Sequence, residues 1–378
     1  MTDVQPRGLR QPLLGVAALV ITVGLSLGFC ALFAPATLTT WIALPLVGAV
    51  PAIMILDLGL HLEWPAVLTR VSRPVRALLF SGIAALASAF VTTLSLLVIG
   101  GGVTPPNPFV ILFGVQSVPV TLVLVVLFRC WPFTALTKNK GLVGVGTFIL
   151  TYVITWVLFR VFFDFGFLKG TPVYVGRLDP KGLFTAWQSV AFIVALAAML
   201  LLFLPFDFWP LSVLVAKRPT LGKEPVFGLL SGGLALVVTL AFWGILVGLA
   251  GMDPVVFLVR VTLAIIFGIF IVLTLFQGAG FGGLKQPVKG LAMTAAVIVA
   301  AVVVQVFYGW VAQRIDPGIA AGPPSYAFEL WLATAWMSVT FPVIVVFCDA
   351  LGFWPLALEA PAGTSTQAPR SVRRPGRS

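Results

Sequence analysis

Five times along this chain, about every seventy residues, one unit recurs: a basic stretch, two long apolar segments and an aromatic ending. Four endings read His61-Leu62-Glu63-Trp64-Pro65, Phe128-Arg129-Cys130-Trp131-Pro132, Phe206-Asp207-Phe208-Trp209-Pro210 and Leu351-Gly352-Phe353-Trp354-Pro355. Gly280-Phe281-Gly282-Gly283 stands where the fourth of the five is expected, as a degenerate copy. A duplicated unit repeats its own packing, so it constrains topology more tightly than any single residue does. The units run over residues 11–65, 66–132, 133–210, 211–284 and 285–355.

Of the 378 residues, 60% are hydrophobic and 9% charged, against roughly a quarter charged in soluble domains. A soluble core cannot absorb that much apolar surface, whereas lipid can. Ten segments approach the roughly 20 apolar residues that a spanning helix needs: 13–33, 41–62, 77–99, 109–130, 141–163, 183–208, 226–249, 255–277, 290–312 and 327–351. The first follows Arg7 and Arg10 like a signal peptide, but no small-residue cleavage site follows it, so it counts as a span. The expected fold is an all-α integral membrane protein, ten transmembrane helices from five tandem two-helix hairpins in one orientation. It forms a single transmembrane domain over 1–357, followed by a disordered basic cytoplasmic tail over 358–378.

The connectors alternate in charge. Arg70, Arg73 and Arg76, Lys138 and Lys140, Lys217, Arg218 and Lys223, and Lys285 and Lys289 share one side with both termini; the other connectors are short and poor in charge, except 164–182 and 313–326. The positive-inside rule then puts the termini and every Trp-Pro junction in the cytoplasm of a bacterial-type inner membrane. Orientation and anionic lipid headgroups at the cytoplasmic face account for the net charge of +11 without nucleic acid. The repeated Trp-Pro surfaces also offer a protein partner a place to dock on that side. On the opposite side, Asn107-Pro108, Asp179-Pro180 and Asp253-Pro254 read as helix starts, an Asx cap followed by Pro at the first helical position.

Polar residues within spans are costly, so their positions carry the functional information. Gln116-Ser117 in the fourth segment and Gln188-Ser189 in the sixth lie 72 residues apart, and Arg260 and Ser338 continue the column in the eighth and tenth. If the second helices of the hairpins face one another, these residues converge on a substrate or permeation locus; interhelical hydrogen bonding is the structural alternative. Pro51, Pro119 and Pro342 follow the column and should kink their helices. Asp57, Asp207 and Asp349 stand near the negative, C-terminal ends of helices and require compensation, by connector Lys and Arg residues or by Arg129. They are either coupling acids or structural partners. Arg160 and Asp164, four apart, are expected to pair.

Cys30, Cys130 and Cys348 are too few and too scattered for a disulfide framework, and His61 is the single histidine, so no metal site and no cofactor is implied. G-x-S-x-G, H-E-x-x-H and P-loop patterns are absent. The leading reading is a permease or channel-like carrier of a small solute. The alternatives are a non-catalytic membrane subunit or assembly scaffold and, third, an intramembrane enzyme acting on lipid-like substrates.

Overall fold

The computed structural model describes residues 8–357, and the expected tail over 358–378 lies outside them. Nine helices among the described residues are long and apolar enough to cross a membrane: α1 (Leu13–Cys30), α2 (Pro35–Gly59), α3 (Arg73–Val98), α4 (Pro108–Leu127), α5 (Lys140–Phe162), α7 (Val226–Leu249), α8 (Pro254–Leu275), α9 (Val288–Ile315) and α10 (Ala327–Ala350). Between them α6 (Ala186–Leu201) is apolar but shorter, at 16 residues. The chain is an all-α, multi-pass membrane protein. The sequence expectation for 183–208 overruns α6 at both ends. Phe184–Thr185 leaves the helix to pair in parallel with Phe163–Asp164, and the chain turns continuously from Leu202 to Pro210.

Burial sorts the helices into two layers. Between 61% and 78% of the most apolar stretch is buried in α2, α4, α8 and α10, against 11% to 44% in α1, α3, α5, α7 and α9. The even-numbered helices pack as neighbours in the order α2, α4, α6, α8, α10 and back to α2, a closed ring. Odd-numbered helices lie outside, and their exposed positions are Leu, Val, Phe and Trp, the composition of a lipid-facing surface. Hydroxyls turned inward from this outer layer are largely satisfied within their own helix: Thr22, Ser26, Thr147, Thr155 and Thr239 each donate to the carbonyl four residues back. That is the arrangement hydrocarbon demands of polar groups.

One docking contact recurs around the ring. The first turn of each outer helix seats on the C-terminal turn of the inner helix three places earlier. A Cβ at Gly228 of α7 would stand 2.7 Å from Phe128 beyond α4, and one at Gly15 of α1 would stand 2.6 Å from Phe276 beyond α8. Gly290 of α9 meets Phe206 beyond α6 in the same way, and Gly141 of α5 meets Trp64 beyond α2. On α3, Arg73 and Arg76 donate instead to the carbonyls of Gly352 (3.2 Å) and Ala350 (2.6 Å) at the end of α10. Side chains before the helices complete the joint: Gln11 donates to Leu275 O (2.8 Å) and Gln286 to Pro205 O (2.9 Å). The same two amides accept from Gly15 and Gly290, and the Glu224 carboxylate from Gly228, capping the new helices.

Each receiving turn contains two consecutive left-handed residues: His61-Leu62, Arg129-Cys130, Asp207-Phe208, Gln277-Gly278 and Gly352-Phe353. Left-handed backbone costs a residue with a Cβ roughly 1–2 kcal/mol. In return, the turn captures carbonyls that a helix end leaves open, through Leu62 N to Leu56 O (2.9 Å), Cys130 N to Leu124 O (2.8 Å) and Phe353 N to Phe347 O (3.0 Å). Gly278 N to Val272 O (2.9 Å) belongs to the same series. The turn after α8 is thus Gln277-Gly278, a few residues before Gly280–Gly283, because backbone conformation and not the aromatic residue defines it.

These joints should respond to a single methyl group. Gly228→Val forces its branch into Phe128 and should cost about 1–3 kcal/mol of stability, measured by reversible unfolding in mixed micelles. Gly248→Ala, which meets nothing within 4 Å, should change stability by less than about 0.5 kcal/mol.

Candidate functional site

Four of the five inner helices, all but α6, carry local π-helical turns, against one outer helix, α7, and four of these turns hold candidate residues: Ile55–Gly59 contains Asp57, Leu258–Leu263 Arg260, Thr334–Thr340 Ser338 and Val346–Ala350 Asp349. Such turns are frequent at functional positions because they re-aim side chains. Pro119 lies within α4 and Pro51 within α2, and Pro342 follows the π-helical turn of α10.

The polar column itself is not level. Gln116 on α4 is fully buried, and neither atom of its amide has a hydrogen-bond partner. An unsatisfied buried amide costs about 1–3 kcal/mol. Ser117 donates to Gly114 O (2.7 Å) in its own helix. Gln188, however, is the third residue of α6, and its N–H is capped by Thr185 Oγ1 (3.4 Å), which leaves its side chain exposed at the helix end. Ser189 donates to Phe162 O (2.8 Å) at the end of α5. Ser338 is buried on α10. Among the described residues no hydrogen bond or ion pair joins any of these six side chains to another.

Asp179 explains the mismatch in register. It was expected to cap the sixth helix, as Asn107 caps α4 and Asp253 caps α8. Instead, it is buried in the connector, where it accepts from Phe165 N (3.2 Å), Lys181 N (3.0 Å) and Tyr174 Oη (2.9 Å). The helix begins six residues later. Arg160 and Asp164 likewise form no ion pair among the described residues, because Asp164 closes a turn by accepting from Gly166 N (3.2 Å).

Arg260 has a partner that its sequence position did not suggest. Glu329 on α10, fully buried, accepts from Arg260 Nε (3.1 Å) and Nη2 (2.5 Å) through one carboxylate oxygen. Its other oxygen accepts from Gly322 N (3.0 Å). The guanidinium lies 5.3 Å from the centroid of the Phe328 ring. Two turns nearer the helix start, Asp253 on α8 accepts from Tyr326 Oη (2.8 Å), and the Tyr326 ring stands 6.0 Å from that of Trp187 on α6. Three inner helices thus meet at one mouth of the ring through an ion pair, a phenol–carboxylate bond and an aromatic contact. Burial and the neighbouring Asp253 push the Tyr326 phenol up to about 12. Separations of 69 and 73 residues, within one helical turn of each other, are close to the roughly seventy-residue spacing of the aromatic endings, and that spacing is the sequence signal that could have found these pairs.

At the opposite mouth the acids divide. Asp207 is held by Lys289 Nζ (2.9 Å) and Gln286 Nε2 (2.8 Å), a structural pairing at the α9–α6 joint. Arg129 joins Glu224 (3.5 Å) and lies over the Phe227 ring rather than serving an aspartate. Asp57 on α2 and Asp349 on α10 are close enough for their charges to act on one another, and the Arg76 charge acts on Asp349. No group of three or more His, Cys, Asp and Glu among the described residues could hold a metal, and the three cysteines are buried and free.

The two best-formed cavities open toward the periphery. One of about 320 Å³ lies between α3, α4 and α5 against Phe90, Phe113, Tyr152 and Trp156; a smaller one of about 160 Å³ lies between α4, α6 and α7. Both are apolar grooves of the kind acyl chains fill. Comparison with known protein families, curated proteins and solved structures finds no match, so function has to be read from geometry.

Two measurements address this mouth. Arg260→Gln strands the buried Glu329 carboxylate and should cost about 3–5 kcal/mol, whereas Arg260→Gln with Glu329→Gln should recover most of the loss; thermal unfolding of the three proteins reports it. Tyr326 should ionise well above a free tyrosine. Its neutral form is favoured by the fold, so that contribution to stability is complete below about pH 10 and lost as pH rises through about 12. Tyrosinate absorbance compared with Tyr326→Phe should show the late component missing in the variant.

Proposed function

We propose that this chain is a carrier of a small solute whose path runs through the inner ring, with five tandem hairpins inserted in one orientation and both termini in the cytoplasm. The observation that carries the reading is the Arg260–Glu329 pair: two charges on adjacent inner helices, one wholly buried, at the mouth of the ring. Ionisable groups are retained inside membranes chiefly on substrate and ion paths. Supporting it are the unpartnered Gln116 amide, the π-helical turns around Arg260 and Ser338, and the helix-interior prolines Pro51 and Pro119, each on an inner helix. Gln116, Ser117, Arg260 and Ser338 belong to this proposed path, while Gln188 and Ser189 lie at its entrance. Asp57 and Asp349 are the proposed coupling acids at the far end.

The basic connectors support an inner-membrane placement, with anionic lipids against the cytoplasmic side. A second reading, a membrane subunit that docks a cytoplasmic partner, is favoured by the exposure of Trp209 and Trp354 on the face carrying the left-handed turns. Hydrophobic matching to lipid headgroups explains the same tryptophans.

The test is transport by purified protein in liposomes, together with labelling of Gln116→Cys and Ser338→Cys in a background lacking Cys30, Cys130 and Cys348. Saturable flux, with both positions reached by a membrane-impermeant maleimide, is the expected result. No flux of any solute class, with both thiols inert from either side, would sink the carrier; a stoichiometric partner retained in mild detergent would then establish the second reading.

A further inference from the structure

We infer that Arg260 is the binding group of an oxyanion site at the Asp253–Tyr326 mouth, taking a carboxylate or phosphate end-on at the Nη1–Nη2 edge of the guanidinium. The inference deepens the carrier reading and rests on it for the site's purpose. Glu329 engages the guanidinium from the side: a single oxygen takes both Nε and Nη2. Nη1 has no hydrogen-bond partner among the described residues, and the Arg260 side chain is 36% exposed. Two geometrically fixed donors therefore face outward, in the fork that matches two oxygens of one oxyanion. Phe328 supports the planar group from below, and Glu329, pinned by Gly322 N, holds its orientation. The fork is thus pre-organised.

The surroundings select the sign of charge. Every acid on this side is committed: Asp164 to Gly166 N, Asp179 to Phe165 N, Lys181 N and Tyr174, Asp253 to its helix cap and Tyr326, Asp316 to Gly318 N, and Glu329 as described. Arg160, Lys169, Arg177 and Lys181 are exposed and enter no ion pair among the described residues. These hydrogen bonds leave the carboxylates charged, so with Arg260 and Arg314 this side carries six described cations against five acids, a single excess positive charge that favours an anion over a cation. The same chemistry fits a soluble anion or a phospholipid headgroup, and the experiment separates them.

Full-length protein in neutral detergent is titrated calorimetrically with inorganic phosphate. In parallel, the protein in phosphatidylcholine nanodiscs is tested for retention of added phosphatidylglycerol. The variants are Arg260→Lys, which keeps the charge but not the fork; Arg260→Gln/Glu329→Gln, which leaves no stranded charge; and Lys217→Gln, exposed at the opposite mouth, as a remote control. The expected pattern is saturable binding, weakened about tenfold by Arg260→Lys, abolished in the double variant and within about twofold of wild type for Lys217→Gln. That pattern with phosphate assigns a soluble oxyanion, and with phosphatidylglycerol a headgroup; either supports the site. Binding that survives in a folded double variant, or no binding of either probe by wild type, overturns it. Because occupancy is read without flux, a protein that transports yet binds neither probe contradicts this inference alone.

Discussion

Everything in this architecture depends on how the helix ends are closed. In hydrocarbon the apolar flanks of helices gain little from meeting each other, because lipid is as apolar as leucine. What lipid cannot supply is hydrogen-bond partners for open carbonyls and N–H groups. The left-handed turns after α2, α4, α6, α8 and α10 capture the carbonyls, and each turn simultaneously becomes the seat for the first turn of an outer helix. α1 docks at the end of α8 and α3 at the end of α10, so the last members of the chain receive the first. The antiparallel bridge between Gly8 and Ala357 ties the stretch before α1 to the stretch after α10. A linear series of helices becomes a closed ring.

Closure sets the chemistry available inside. Inner helices pressed from both sides tolerate few charges, and those that remain occur at the two mouths. At one mouth Arg260 and Glu329 satisfy each other across the α8–α10 seam. At the other, Asp57 on α2 and Asp349 on α10 lie near the ends of neighbouring helices, with Arg76 bound to the Ala350 carbonyl. Both seams involve α10, which also carries the π-helical turn around Ser338 and contributes Thr340 to a hydroxyl contact with Tyr308 on α9 (2.8 Å). A conformational change that opened the ring would strain α10 most, since its partners on both sides are polar and directional.

The fold was largely legible in the sequence, and the site only partly. Apolar segment length gave helix positions to within a few residues except at α6, where segment 183–208 counted an extended entry and a run of turns as helix. Asp179-Pro180 mimicked the cap formed by Asp253-Pro254, but cap chemistry is local, and only packing decides whether a buried aspartate starts a helix or ties down a loop. Aligning Gln188 with Gln116 on that false cap then carried the error into the proposed column. The Arg260–Glu329 and Asp253–Tyr326 pairs were not read from the sequence either: the spacing set Arg260 level with Ser338, and only the packing of α8 on α10 brings Glu329 and Tyr326 to it and to Asp253. The left-handed turns were visible only through their Trp-Pro endings, so the turn at Gln277-Gly278, which has no such ending, was placed a few residues late.

The most direct test is whether the chain closes on itself as the docking contacts require. Thiol pairs Gln11→Cys/Phe276→Cys and Gln286→Cys/Phe206→Cys, in a background without native cysteines, should be joined within single chains by a short bifunctional reagent. The exchanged pairs, Gln11→Cys/Phe206→Cys and Gln286→Cys/Phe276→Cys, should not. Equal yields for matched and exchanged pairs, or cross-links found only between separate chains, would contradict the closed ring.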